Sequence, residues 1–192
     1  MHTYMFLSDV DIKKAVKSGD ITLKPFDTKR LQPASYDIRL GNVFQLSDLY
    51  ATAFIDPVKR IYGKTREMKV PDGSEFILRP GVSVLATSKE FFGSDHYLIQ
   101  LSGKSSLARI GLMVHNTAGI INPGHFLHIT LELTNQNIVP IILRPGMEIA
   151  QITFSMLSSS PEQNYRKNGR YAKDNWKHFA QAQNRGKTRN KK

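Results

Sequence analysis

Two segments of this chain echo each other: Phe76-Ile77-Leu78-Arg79-Pro80-Gly81 and Ile141-Ile142-Leu143-Arg144-Pro145-Gly146. In each, a short apolar run stops at Pro-Gly. Proline fixes φ at about −65° and glycine accepts positive φ, so the pair suits the two central positions of a type II turn. Another strand-like run follows each turn, Val82 to Thr87 and Glu148 to Phe154. Short strands broken by Pro and Gly over most of a chain predict an all-β sandwich or barrel. Two hairpins are the simplest account of the echo, which reads as one turn chemistry used twice.

One helix is expected before the strands begin. Ser8 can cap it, Asp11 stands three residues on, and Gly19 is a plausible stop. Ile12, Ala15 and Val16 form its apolar stripe, which suits packing. Ile21 to Pro25 reads as extended, and Leu31 to Gly41 as a turn and a strand. On that strand Asp37 and Arg39 share a face, which points to an ion pair ordering the sheet or a subunit contact. Residues 47–75 read as loops with one or two short strands.

The densest polar chemistry lies between Gly103 and Leu133. Gly103-Lys104-Ser105-Ser106 offers backbone N–H groups, two hydroxyls and an ammonium to an anion, with Arg109 close behind. Leu107 to Val114 fits a helical turn or a strand equally well. A Gly119, Pro123-Gly124 turn region comes next. The stretch ends on an alternation in which Ile129, Leu131 and Leu133 face one way and His128, Thr130, Glu132 and Thr134 the other. A phosphate-friendly loop and one carboxylate are thus joined by a hairpin-like segment, an outline of a site for a charged metabolite. Glu132 taken alone is as consistent with a solvated surface carboxylate. His128 shares its face and can modulate it.

These residues also resemble a known family, the dCTP deaminases of the trimeric dUTPase superfamily. The resemblance rests on Gly103-Lys104-Ser105-Ser106-Leu107-Ala108-Arg109-x-Gly111-Leu112, on Val114-His115-x-Thr117-Ala118-Gly119-x-Ile121-x-Pro123-Gly124, and on Leu131-Glu132-Leu133-x-Asn135. A Ser35-Tyr36-Asp37-x-Arg39-Leu40-Gly41 segment adds to it. It implies an all-β, distorted jelly-roll of the dUTPase-like type, with a short N-terminal helix and a mobile C-terminal tail. It implies hydrolytic deamination of dCTP to dUTP and ammonia, feeding thymidylate synthesis. Glu132 would be the general acid/base, with Ser105 and the backbone carbonyl of Ala118 positioning the water beside Arg109. Lys104 and Ser106 would contact phosphate, and the backbone of Thr130 and Leu131 would read the pyrimidine edge. Gln151 and Tyr165 would lie near the triphosphate, and Arg170 would take the place of a family lysine, keeping charge but not geometry. The family binds its nucleotide with Mg²⁺, shares its sites between subunits of a homotrimer, and suggests dTTP as an inhibitor.

One position departs from the family pattern. Asn122 stands where the family carries Asp. In relatives that also cleave dUTP to dUMP and pyrophosphate, that Asp activates water. An amide cannot act as a base, although it can still hydrogen-bond a deoxyribose hydroxyl. The expectation is therefore a deaminase that stops at dUTP, with a bifunctional, dUMP-forming enzyme as the alternative.

Composition narrows the field further. The chain has no cysteine, so the Cys-ligated zinc centre of the nucleobase deaminases is not available to it and no zinc is expected. His115, His125 and His128 lack the carboxylate pattern that would complete a metal site. No apolar run is long enough to span a membrane and no signal peptide is visible, so a cytoplasmic enzyme is expected. Of the net charge of +11, residues 161–192 carry +8, with ten Lys or Arg against Glu162 and Asp174. The reading is a β domain over 1–160 and a basic tail over 161–192 that closes over the nucleotide. A non-catalytic nucleotide sensor or nucleic-acid-binding relative is the reading from another class, and the deaminase set argues against it.

Overall fold

The computed structural model describes residues 5–48, 53–59, 61–169 and 171–172. Helix α1 (Asp9–Ser18) starts and stops as its sequence dictates. The Ser8 hydroxyl accepts the Asp11 N–H, and Gly19 closes the helix in the left-handed region. Its buried residues, Ile12 and Ala15, dock it on the sheet.

Five strands lead to the first Pro-Gly turn: β1 (Thr22–Lys24), β2 (Leu31–Gln32), β3 (Ser35–Ser47), β4 (Thr65–Lys69) and β5 (Phe76–Leu78). Then come β6 (Ser83–Gly93), β7 (Tyr97–Gly103), a short helix α2 (Ser105–Ala108), β8 (Leu112–Met113) and β9 (Ile120–Ile121). β10 (Leu127–Asn135), β11 (Ile141–Leu143), β12 (Glu148–Met156) and a last turn of helix α3 (Tyr165–Asn168) complete the order. Ten strands form one curled sheet with the path β8-β10-β6-β3-β12-β7-β9, from which β1, β2 and β4 branch. β5 and β11 form a second, two-stranded sheet. The architecture is the expected all-β one, built on one curled sheet with one short N-terminal helix.

Both Pro-Gly turns form as expected. Val82 N–H bonds Arg79 O and Met147 N–H bonds Arg144 O, with Gly81 and Gly146 at φ 69° and 86°. The two hairpins do not form. β5 pairs instead with β11, Ile77 opposite Ile142, while β6 and β12 enter the large sheet on either side of β3. The reason is burial. Phe76, Leu78, Ile141 and Leu143 turn inward, and Phe76 stacks on Phe44 of β3 with centroids 4.4 Å apart. A hairpin would put β5 and β6 in one layer and leave that face without its cover.

Asp37 and Arg39 do not pair with each other. The Arg39 Nε and backbone N–H both donate to Glu90, at 2.7 Å each, and Glu90 has no exposure at all. Asp37 turns to Lys104. Asn135 is structural as well. Its amide donates to Leu78 O and Val139 O, and its carbonyl accepts Asn137 N–H. That network ties the end of β10 to the two-stranded sheet.

Candidate active site

The sheet ends place the polar residues. β7 pairs with β12 on one side, Ser102 opposite Gln151, and with β9 on the other, Gln100 opposite Ile120. The chain leaves β7 at Gly103 and turns at once into α2, settling the open reading of 107–114: one helical turn, then the short strand β8. Lys104 is the N-cap residue, Ser105 and Ser106 open the helix and are exposed, and Arg109 ends it, also exposed. Gln151 fixes the base of this loop. Its Nε2 donates to Gly103 O, and its Oε1 accepts the Ser35 hydroxyl at 3.1 Å.

Lys104 is not free. Its ammonium donates to Asp37 Oδ2 at 2.6 Å and to Glu148 Oε2 at 2.7 Å. Burial opposes the charge, but the hydrogen bonds and fields of the two carboxylates outweigh it and hold the ammonium above the usual lysine range. Asp37 also accepts Gln32 Nε2 at 3.0 Å.

Glu132 lies half-buried on β10, between the fully buried Leu131 and Leu133. The expected alternation holds. Its backbone N–H donates to Val114 O, and its Oε2 accepts the Asn116 N–H at 2.6 Å, a length typical of a charge-assisted bond. The loop from His115 to Gly119 is therefore tied to the carboxylate at Asn116. Ala118 lies exposed on that loop, and Gly119 O accepts Leu101 N–H at 2.7 Å. A Cβ at Gly119 would stand 2.8 Å from Leu101 O, so only glycine lets the loop close on β7. His128 packs edge-on against Phe91, beyond an irregularity in the β10–β6 ladder that separates it from Glu132.

Thr117 has φ 69°. For a β-branched residue this is strained, at a cost of ~1–3 kcal/mol. Glycine would relieve that strain while losing ~0.5–1 kcal/mol to backbone entropy. Thr117→Gly is therefore expected to leave the stability equal or raise it by up to ~2 kcal/mol in urea unfolding. A clear loss of stability would show that the turn is not strained.

Asn122 is exposed, directly after β9. The next turn carries the root of the tail. Tyr165 stacks on His125 with centroids 4.2 Å apart. Arg166 lies 4.8 Å over the Phe126 ring and pairs with Asp95. A cavity of about 500 Å³ opens beside this contact, lined by Asp95 to Tyr97, Pro123 and residues 156–161 among others, and not by Glu132 or Ser105. Thr130 is half-buried on β10 beside Leu131. Arg170 and residues 173–192 lie outside the described residues.

Two groups of residues are tied together by contacts: Lys104, Ser105, Ser106 and Arg109 on the α2 loop with Gln151 at its base, and Glu132 with the loop that carries Asn116. No side-chain hydrogen bond joins Glu132 to Ser105 or Arg109 among the described residues.

The model of the dCTP deaminase-like family matches residues 6–157. The chain belongs to that family. Relatives named dCTP deaminase, dUMP-forming, from Corynebacterium efficiens and Salinispora tropica are 44% and 43% identical over 162 residues, 84% of this chain and 84% of each of theirs. A crystal structure of 2'-deoxycytidine 5'-triphosphate deaminase from Agrobacterium tumefaciens shares the fold with a TM-score of 0.60 at 22% identity, over 81% of this chain. This chain spans about half of that one, 49%. Among the described residues no group of three or more His, Asp or Glu is arranged to hold a metal ion, and no helix is long and apolar enough to cross a membrane.

Sequence reasoning missed Glu148 and the Asn116 N–H. Neither carries a local signal: one is an ordinary exposed carboxylate, the other a backbone group.

Proposed function

We propose that this dCTP deaminase-like chain deaminates dCTP by direct hydrolysis, with Glu132 as general acid/base. The carrying observation is the carboxylate itself, gripped at 2.6 Å by the Asn116 N–H on the loop that bears Ala118. Water held by the Ser105 hydroxyl and the Ala118 carbonyl attacks C4 while Glu132 takes its proton. Glu132 passes that proton to N3, then takes the proton of the new C4 hydroxyl and hands it to the amine, so that the C4–N bond breaks, the C4 carbonyl forms and ammonia leaves. Arg109 steadies the charge of the tetrahedral centre. The names of the relatives support dCTP as the substrate.

The substrate enters as its Mg²⁺ complex, with Lys104, Ser106, Gln151, Tyr165 and Arg170 toward the phosphates and the backbone of Thr130 and Leu131 toward the base. The two exposed groups are completed by neighbouring subunits of a homotrimer, the basic residues 161–192 close over the nucleotide, and dTTP inhibits. The enzyme works in the cytoplasm and supplies dUTP toward thymidylate.

The product is dUTP. Asn122 is exposed and uncharged, and it removes the carboxylate that resemblance assigns to the second cleavage. The dUMP-forming relatives favour the second reading, in which pyrophosphate also leaves. Incubation with dUTP and Mg²⁺ separates the two. The first reading expects pyrophosphate at the buffer background, and Asn122→Asp is expected to raise it. Pyrophosphate released by the natural chain as fast as ammonia from dCTP would establish the second reading.

A further inference from the structure

Lys104 carries one positive charge and faces two carboxylates, and these two are not alike. Asp37 has a side chain 4% exposed, lies in the middle of the sheet and is also held by Gln32. Glu148 is 42% exposed, stands at the first residue of β12, just after the Pro145-Gly146 turn, and has Lys104 as its one side-chain partner among the described residues. The residue opposite it in the ladder, Arg39, is committed to Glu90. So Asp37 is a buried anchor and Glu148 an exposed arm.

We propose that Glu148 is a displaceable counter-ion that occupies Lys104 in the empty site and yields to the polyphosphate, and so sets nucleotide affinity. The proposal rests on the reading of Lys104 as a phosphate contact. With both carboxylates in place the group is net negative and repels a polyphosphate. When Glu148 swings into water, Asp37 still holds one of the three ammonium N–H donors, and the others are free for phosphate oxygens. The exchange swaps one charge-assisted bond for another, but every binding event must first break the Lys104–Glu148 pair. Glu148 takes no part in the reaction at the base and acts through Lys104 only.

The test is the steady-state kinetics of Mg–dCTP with Glu148→Gln. KM is expected to fall about 2- to 5-fold, the size of effect that a half-exposed ion pair supports, with kcat held. In a Lys104→Gln background the same substitution is expected to leave KM where it is, whereas a general change in surface charge would lower it there too. A KM that is unchanged or raised by Glu148→Gln overturns the proposal; a rise would mean that Glu148 binds the nucleotide's Mg²⁺. An equal fall in both backgrounds overturns it as well. If the natural chain releases no ammonia from dCTP, the reading of the reaction has failed instead. Calorimetric titration with Mg–dCTP then makes the same comparison through Kd.

Discussion

Glu132→Gln is expected to lower the rate of ammonia release from dCTP by about 10²- to 10⁴-fold, the usual range for loss of a general acid/base. The substitution keeps the shape of the side chain. Its amide oxygen can still accept the Asn116 N–H, so the 115–119 loop is expected to stay in place. What it loses is the capacity to take and return protons. Urea unfolding of the variant is therefore expected to match the natural chain to within ~1 kcal/mol. The effect belongs to kcat, since the nucleotide is held through other groups. A variant that keeps more than about a tenth of the activity would move the base elsewhere in the site.

Glu90→Gln is expected to cost ~3–5 kcal/mol of folding stability. Glu90 is fully buried and accepts two donors from Arg39, its Nε and its backbone N–H. Glutamine keeps the volume but turns an NH₂ group toward one of these donors and leaves the guanidinium without its counter-charge. The double variant Arg39→Met/Glu90→Leu is expected to recover only part of the loss, because the Arg39 N–H remains inside with no acceptor. Urea unfolding of the three chains reads both effects. A cost below ~1 kcal/mol for Glu90→Gln would mean that water reaches the pair.

How much of the fold and the site was legible in the sequence depends on the range of each interaction. The cap at Ser8, the stop at Gly19 and both Pro-Gly turns are local chemistry, and all stand where the residues put them. The alternation through Glu132 is local too, and the strand keeps it. The pairing of strands on either side of a turn is not local. β5 finds β11 far along the chain because both bury one face over the same sheet, and nothing in Leu-Arg-Pro-Gly announces it. Charged partners were the least legible. Counting by two from Val84 through Ala86 and Ser88 puts Glu90 inward, but its partner Arg39 is set by tertiary pairing alone. Asp37 and Arg39 share a strand and look like a pair, yet the fold offers each a better one. Resemblance supplied roles for Ser105, Arg109 and Ala118 that spacing alone does not assign, since all three are exposed in a single chain.

Direct assay of ammonia, dUTP and dUMP from purified protein with dCTP and Mg²⁺ tests the central claim. Ammonia equal to the dCTP consumed, with dUTP accumulating and the signal lost in Glu132→Gln, is the predicted result. Binding of dCTP without any ammonia, in a protein that unfolds cooperatively, would contradict it and leave a nucleotide sensor built on a deaminase fold.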